Sequence, residues 1–150
     1  MENAGLGREG GILDMTKKTG VKLPTTPEAH EQTALFRWIE DAAVYEYPEL
    51  ALLYHIPNGG KRNRAEAAHL KQQGVKPGVP DLCLPVARGK WHGLYIEMKA
   101  GKNKTTENQD RWIESLRQQG YVAEVCYGYR QAAEILVQYL SLGKGKISWW

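Results

Sequence analysis

Asp81, Glu97 and Lys99 are the side chains whose types and spacing best suit chemistry. The stretch Val79-Pro80-Asp81-Leu82-Cys83-Leu84-Pro85-Val86 is followed, after the polar break Ala87-Arg88-Gly89-Lys90, by Gly93-Leu94-Tyr95-Ile96-Glu97-Met98-Lys99. Leu82 to Val86 and Leu94 to Met98 read as strands, and the short break predicts a hairpin. Alternation along the second strand puts Glu97 and Lys99 on one face and Ile96 and Met98 on the other. Asp81, at the entry to the first strand, then lies near the Glu97 end of the second. Two carboxylates and a lysine meet at one sheet edge, the outline of a metal-dependent hydrolysis site.

The donor set favours hard cations. Carboxylates with no competing Cys/His cluster suit Mg²⁺, with Mn²⁺ able to substitute. Magnesium keeps several waters, so Asp81, Glu97 and the backbone carbonyl of Met98 suffice. A cation there acidifies water and neutralises charge on a phosphate, while Lys99 orients the water or stabilises the transition state. The bland alternative is that Asp81 caps a turn and Glu97–Lys99 is a surface ion pair, worth about 0–1 kcal/mol.

The elements around this edge supply two further polar groups. Thr26, Pro27 and Glu28 make a strong helix start, with Ala34, Leu35, Trp38, Ile39 and Ala42 as its apolar stripe and Pro48 as its limit. Glu31 falls on that stripe, so it must sit at a wet rim, pair with a cation or bind a metal. Thr106 and Gln109 form a capping box, opening a helix that Gly120 ends. Gln109 shares the inward stripe of Trp112, Ile113 and Leu116, and serves either the cap alone or the catalytic edge. Leu50 to Ile56 reads as a strand. Arg64 to Gln73 reads as a short surface helix closed by Gly74, Tyr121 to Cys126 as the last strand, and Arg130 to Leu142 as the last helix.

This order predicts an α/β fold: a mixed four-stranded sheet flanked by helices, with a parallel crossover between Leu94 and Cys126. The expected layout is an N-terminal arm over residues 1–24, one domain over 25–142 and a tail over 143–150. Trp38 and Trp112 are expected in the core, and Trp91, Trp149 and Trp150 at the surface.

Bulk properties set the broad class. A chain of 150 residues, 42% hydrophobic and 25% charged, fits one globular domain. No apolar run approaches membrane-spanning length, and no charged-then-apolar leader is evident, so a cytoplasmic location is expected. Cys83 and Cys126 lie in apolar runs and read as reduced core thiols. The net charge of +3 says little, but its distribution says more. Residues 24–54 are acidic, whereas Lys61, Arg62, Arg64, Lys71 and Lys76 form one basic cluster and Lys99, Lys102 and Lys104 another. These are either solvated faces or a basic rim around an acidic pocket, as an enzyme acting on a phosphate backbone requires.

Pro80-Asp81 followed by Glu97-Met98-Lys99 resembles the PD-(D/E)xK nuclease signature. The wider text is similar to one branch, the VRR-NUC (virus-type replication-repair nuclease) domain. The matching pieces are His30-Glu31-Gln32, Ile56 to Gly60, Gly74 to Asp81, Tyr95 to Lys99 and Gln109 to Trp112, spanning Pro27 to Gly128. The resemblance implies a restriction-endonuclease-like core and a Mg²⁺/Mn²⁺-dependent DNA phosphodiesterase. Asp81 and Glu97 would bind metal, Lys99 assist the water, Glu31 act as the helix-borne acid and Gln109 support the site. It also implies a small phage or bacterial enzyme, acting as a homodimer on branched DNA such as Holliday junctions. DNA contacts are then expected from Asn58, Lys61, Arg62, Arg64, Lys76, Lys102 and Lys104. Two other readings stand beside it: a non-catalytic nucleic-acid-binding module of a phage replication complex, and a restriction-type or flap endonuclease.

Overall fold

A computed structural model of the chain describes residues 26–58 and 63–144. The N-terminal arm, Lys61 and Arg62, and Trp149 and Trp150 lie outside the described residues. Helix α1 spans Pro27–Trp38; Thr26 caps it by accepting the Ala29 amide on Oγ1. The helix continues through a wider π turn, Ile39–Ala43, into Val44–Glu46, and a 3₁₀ segment follows over Pro48–Leu52. Strand β1 is Tyr54–His55, helix α2 Arg64–Gln72, strand β2 Leu82–Leu84 and strand β3 Leu94–Lys99. Helix α3 is Glu107–Gln118, strand β4 Val122–Tyr127 and helix α4 Tyr129–Leu140.

The four strands form one mixed sheet in the order β1-β2-β3-β4. β1 and β2, and β2 and β3, pair antiparallel; β3 and β4 pair parallel, from Leu94 opposite Val122 to Lys99 opposite Tyr127. The expected mixed α/β sheet is thus the observed one. Alternation along β3 splits the core in two. Leu94, Ile96 and Met98 pack with Leu35, Ile39, Leu82, Leu84 and Leu136 under α1 and α4. Tyr95 faces the smaller cluster of Ile113, Leu116 and Ala123 beneath α3. Each element therefore buries one stripe, the ordinary way a layered α/β domain closes its core.

Four local expectations are corrected. Leu50 to Ile56 is not a strand: Pro48 starts a 3₁₀ turn in which Leu50 is buried, and only Tyr54 and His55 join the sheet. A short apolar run does not by itself distinguish strand from buried turn. The first hairpin strand ends at Leu84, and the connection to Leu94 contains its own small bridge, Arg88 to Trp91. In that connection Arg88 is buried. Its guanidinium meets Glu49 at 2.5 Å and donates to the carbonyls of Ala87 and Leu140. Trp38 and Trp112 are half-buried rather than enclosed: Trp38 lines an open groove against α4, and Trp112 donates its indole N–H to Pro77 O at 3.1 Å. Trp91 is also half-buried, packed on the main core, with Lys90 Nζ 4.7 Å from its ring centre.

The short surface helix and the core thiols are found as expected. α2 buries no side chain, and Gly74 follows it at φ +95°, the left-handed conformation that ends helices. Cys83 and Cys126 are buried free thiols.

Candidate active site

β3 ends where α1, α3 and α4 begin. Gly128, the residue before α4, donates its amide to Lys99 O at 2.9 Å, and Glu28 in the first turn of α1 accepts from Asn103 in the β3–α3 loop. Three helix N-termini therefore face the carboxyl end of β3. Their partial positive charge favours both the acids placed there and an incoming anion.

Asp81 reaches this point from the rigid segment Pro77-Gly78-Val79-Pro80. Gly78 has φ +88°, and a Cβ there would lie 2.7 Å from the backbone of Asn108, so only glycine lets this segment pack on the start of α3. The Asp81 carboxylate Oδ2 accepts the Met98 amide at 2.8 Å, and its carbonyl accepts the Ile56 amide at 2.7 Å. His55 Nδ1 lies 2.9 Å from that same carbonyl. Because a strand residue's N–H and C=O point to the same side, the Met98 carbonyl also faces the Asp81 side of β3.

Glu97 and Lys99 share a face of β3, as alternation requires, and both are buried. Lys99 Nζ lies 3.2 Å from Glu97 Oε1, and Gln109 Nε2 donates to the same oxygen at 2.5 Å. Gln109 meanwhile accepts the Thr106 amide on Oε1 at 2.9 Å, and its own amide donates to Thr106 Oγ1. The capping box and the catalytic edge thus use the two ends of one amide. Glu97 Oε2 is buried without a hydrogen-bond partner.

Burial and the neighbouring Asp81 charge push the Glu97 carboxyl up to about 7, with Lys99 opposing. Asp81 is also raised, by burial, against the opposing Met98 amide and the charges of His55 and Lys99. A buried acid with an unsatisfied oxygen, repelled by a half-buried second acid, is a donor arrangement of the kind hard divalent cations take. Among the described residues no group of three or more His, Cys, Asp or Glu surrounds it. The oxygen donors brought together here are those of Asp81, Glu97 and the Met98 carbonyl.

The helix-borne acid is divided between two residues. Glu31 turns inward on α1 as expected, but its Oε2 accepts the Tyr129 amide at 2.7 Å and caps α4. Glu28, one turn earlier, is the acid whose charge is felt at Asp81 and which itself feels the charge of Lys99. Bonding to Asn103 holds its carboxyl below the usual range. From the sequence Glu28 is a partner of the α1 dipole, and the same first-turn position brings it beside Asp81. Asn58 donates to Val79 O at 3.4 Å, two positions before Asp81. Arg64, Lys76, Lys102 and Lys104 are exposed.

A mixed α/β sheet presenting an acid pair and a buried lysine at one strand end defines the PD-(D/E)xK class of nucleases. The family model for the VRR-NUC domain matches residues 28–130, and the chain belongs to that family. A solved structure described as a VRR_NUC domain protein is 35% identical, aligning over 81% of this chain and 94% of its own with a TM-score of 0.68. Comparison with curated proteins gave no match. No described helix is long and apolar enough to cross a membrane.

Proposed function

We propose that this VRR-NUC nuclease is a Mg²⁺-dependent DNA endonuclease, able to use Mn²⁺, that hydrolyses phosphodiester bonds in branched DNA. The observation that carries the reading is Glu97: one carboxylate oxygen is fixed by Lys99 and Gln109, and the other is buried, unpaired and beside Asp81. A structural ion pair gains nothing from a second, half-buried acid and an unpaired oxygen, which together cost stability. When bound to Asp81, Glu97 and the Met98 carbonyl, the divalent ion supplies charge neutralisation at the phosphate and makes water more acidic.

The chain's own residues do the rest. Lys99 sits in a site of low dielectric, where its ammonium stabilises negative charge growing on the phosphate far better than in water. Gln109 holds Glu97 in one rotamer and, through Thr106, ties it to the N-terminus of α3. Glu28 adds a further acid at the mouth. Exposed Arg64, Lys76, Lys102 and Lys104 supply the positive rim that a phosphate backbone requires. Action on Holliday junctions, a homodimer with two sites on a two-fold axis, and a role in phage or bacterial replication, recombination or repair rest on the sequence resemblance.

The test is a gel cleavage assay with labelled four-way junction, flap, single-stranded and linear duplex DNA in Mg²⁺, Mn²⁺ or EDTA, with wild type and Lys99→Ala. Symmetric metal-dependent nicking of the junction, lost in the variant, supports the whole proposal. Metal-dependent cutting of another substrate keeps the site and removes the junction assignment. Salt-sensitive binding with no product in any metal refutes the enzyme.

A further inference from the structure

A cavity of about 290 Å³ lies against the segments that carry Asp81 and Gln109 and takes no part in the chemistry described above; Ile56, Asn58, Val75, Lys76, Val79 and Trp112 line it. Three separate tethers fix its position. Val79 stands two residues before Asp81, so their Cα atoms are at most about 7.6 Å apart. Ile56 donates its amide to Asp81 O at 2.7 Å. Trp112 lies three residues after Gln109 on α3, hence on the same helix face, and Gln109 bonds Glu97.

The lining has a definite chemistry. Its walls are apolar and aromatic, and the Trp112 ring is held by its bond to Pro77 O. Asn58 brings an amide, bonded to Val79 O, and exposed Lys76 brings a cation. Val75 is a large apolar side chain left 37% exposed. A free phosphate would find one cation among hydrophobic walls, a poor match. A flat aromatic ring carried on a phosphate chain fits all of them: the ring against Trp112 and the valines, its polar edge at Asn58, its phosphate at Lys76.

We infer that this cavity takes one unpaired nucleobase of the substrate strand, next to the phosphate held at Asp81 and Glu97. The inference rests on the proposed nuclease reading and adds a source of substrate selection. With Val79 no more than two residues from Asp81, the base is assigned to a nucleotide flanking the cut. A base inside an intact duplex enters only after unstacking, whereas one at a branch point or in a single strand enters freely. The pocket therefore selects DNA with an unpaired nucleotide at the site.

The test is fluorescence anisotropy in EDTA, using a labelled 12-nucleotide single strand and the same sequence fully paired. Wild type is compared with Val75→Gln, which fills an exposed wall, and Trp112→Leu, which removes the ring. Melting curves verify that both variants fold. Each variant is expected to lose about tenfold in affinity for the single strand, as a lost stacking contact does, and much less for the duplex. A 2-aminopurine walked along the strand is expected to be quenched at one position by wild type and not by Trp112→Leu. Equal losses on both DNAs, or no loss, overturn the pocket; metal-dependent cleavage by the same preparation then leaves the nuclease reading standing. Absence of any DNA binding or cleavage by wild type overturns both.

Discussion

Replacing Glu97 by glutamine tests whether the centre is an acid pair waiting for a cation. In wild type the folded carboxyl binds its proton with a value of about 7, against 4.5 ordinarily. Folding therefore favours the protonated acid, and the sign follows. Its contribution is fully present below about pH 4.5 and is lost as pH rises through 7. Taken at face value that loss is about 3 kcal/mol, an upper figure because Asp81 titrates with it. Glutamine keeps the shape and one acceptor for Lys99 and Gln109 but has no charge to bury. It also leaves the Lys99 ammonium without its anion, which offsets part of the gain. The net expectation at pH 8 in EDTA is a variant more stable than wild type by about 1–3 kcal/mol, or roughly 3–10 °C in melting temperature.

Magnesium should narrow the gap. A cation at ten times its dissociation constant stabilises wild type by about 1.4 kcal/mol and gives little to a variant that has lost the charge it binds. The assay is a set of melting curves at pH 5 and pH 8, with EDTA or MgCl₂, for both proteins. The variant is expected to show a smaller pH response than wild type, no magnesium response and no cleavage. If it melts below wild type at pH 8 in EDTA, or if wild type is equally stable at both pH values, the buried pair is not frustrated and the argument for the cation site falls.

Other substitutions separate the roles of neighbouring residues. Lys99→Ala is expected to lower cleavage by at least about 10²-fold, read from single-turnover rates, because its buried ammonium acts on charge that develops during reaction. Gln109→Ala removes the acceptor of the Thr106 amide and the Glu97 contact together, leaving the Thr106 Oγ1 cap; it should cost about 1–2 kcal/mol by urea titration and also slow cleavage, while Thr106→Ala costs stability with a smaller effect on rate. Gly78→Ala places a Cβ 2.7 Å from the Asn108 backbone at φ +88°, so a loss above about 1 kcal/mol is expected, with a larger loss of activity as Asp81 is displaced from its bond to Met98. Glu31→Gln, weakening the charged cap on α4, should cost about 1 kcal/mol in thermal melts and leave most activity, whereas Glu28→Gln should leave stability nearly unchanged and slow cleavage.

Much of the centre was legible because its signals are local. The strand period of two put Glu97 and Lys99 on one face, and the antiparallel partner brought Asp81 to their end; the Asp81 bond to Met98 and the Lys99–Glu97 contact are the result. Thr106-x-x-Gln109 announced both a helix start and a glutamine aimed at the sheet, and the two readings were not alternatives. What escaped depended on distant partners. Leu50 to Ile56 was a short apolar run without a period, decided by Pro48 and by how little of β2 remained to pair with. Arg88 could be a buried cation only because Glu49 and the Leu140 carbonyl arrive from elsewhere in the chain.

Glu28 and Glu31 show the same limit at the point that matters most for chemistry. Helical phase alone favoured Glu31, since it shares the stripe of Leu35 and Trp38, and the side chain does turn inward. Its partner, the Tyr129 amide, is 98 positions away in sequence and belongs to a helix end that needs an acceptor. Once α4 starts beside Lys99, that orphan amide competes for the nearest carboxylate, and Glu31 is consumed by it. Glu28, at the open end of α1, is left to face the acid pair. The helix therefore places two acids where two positive ends converge, Glu31 on the Tyr129 amide and Glu28 on Asn103 beside Asp81. The paired Glu28 and Glu31 variants separate those uses.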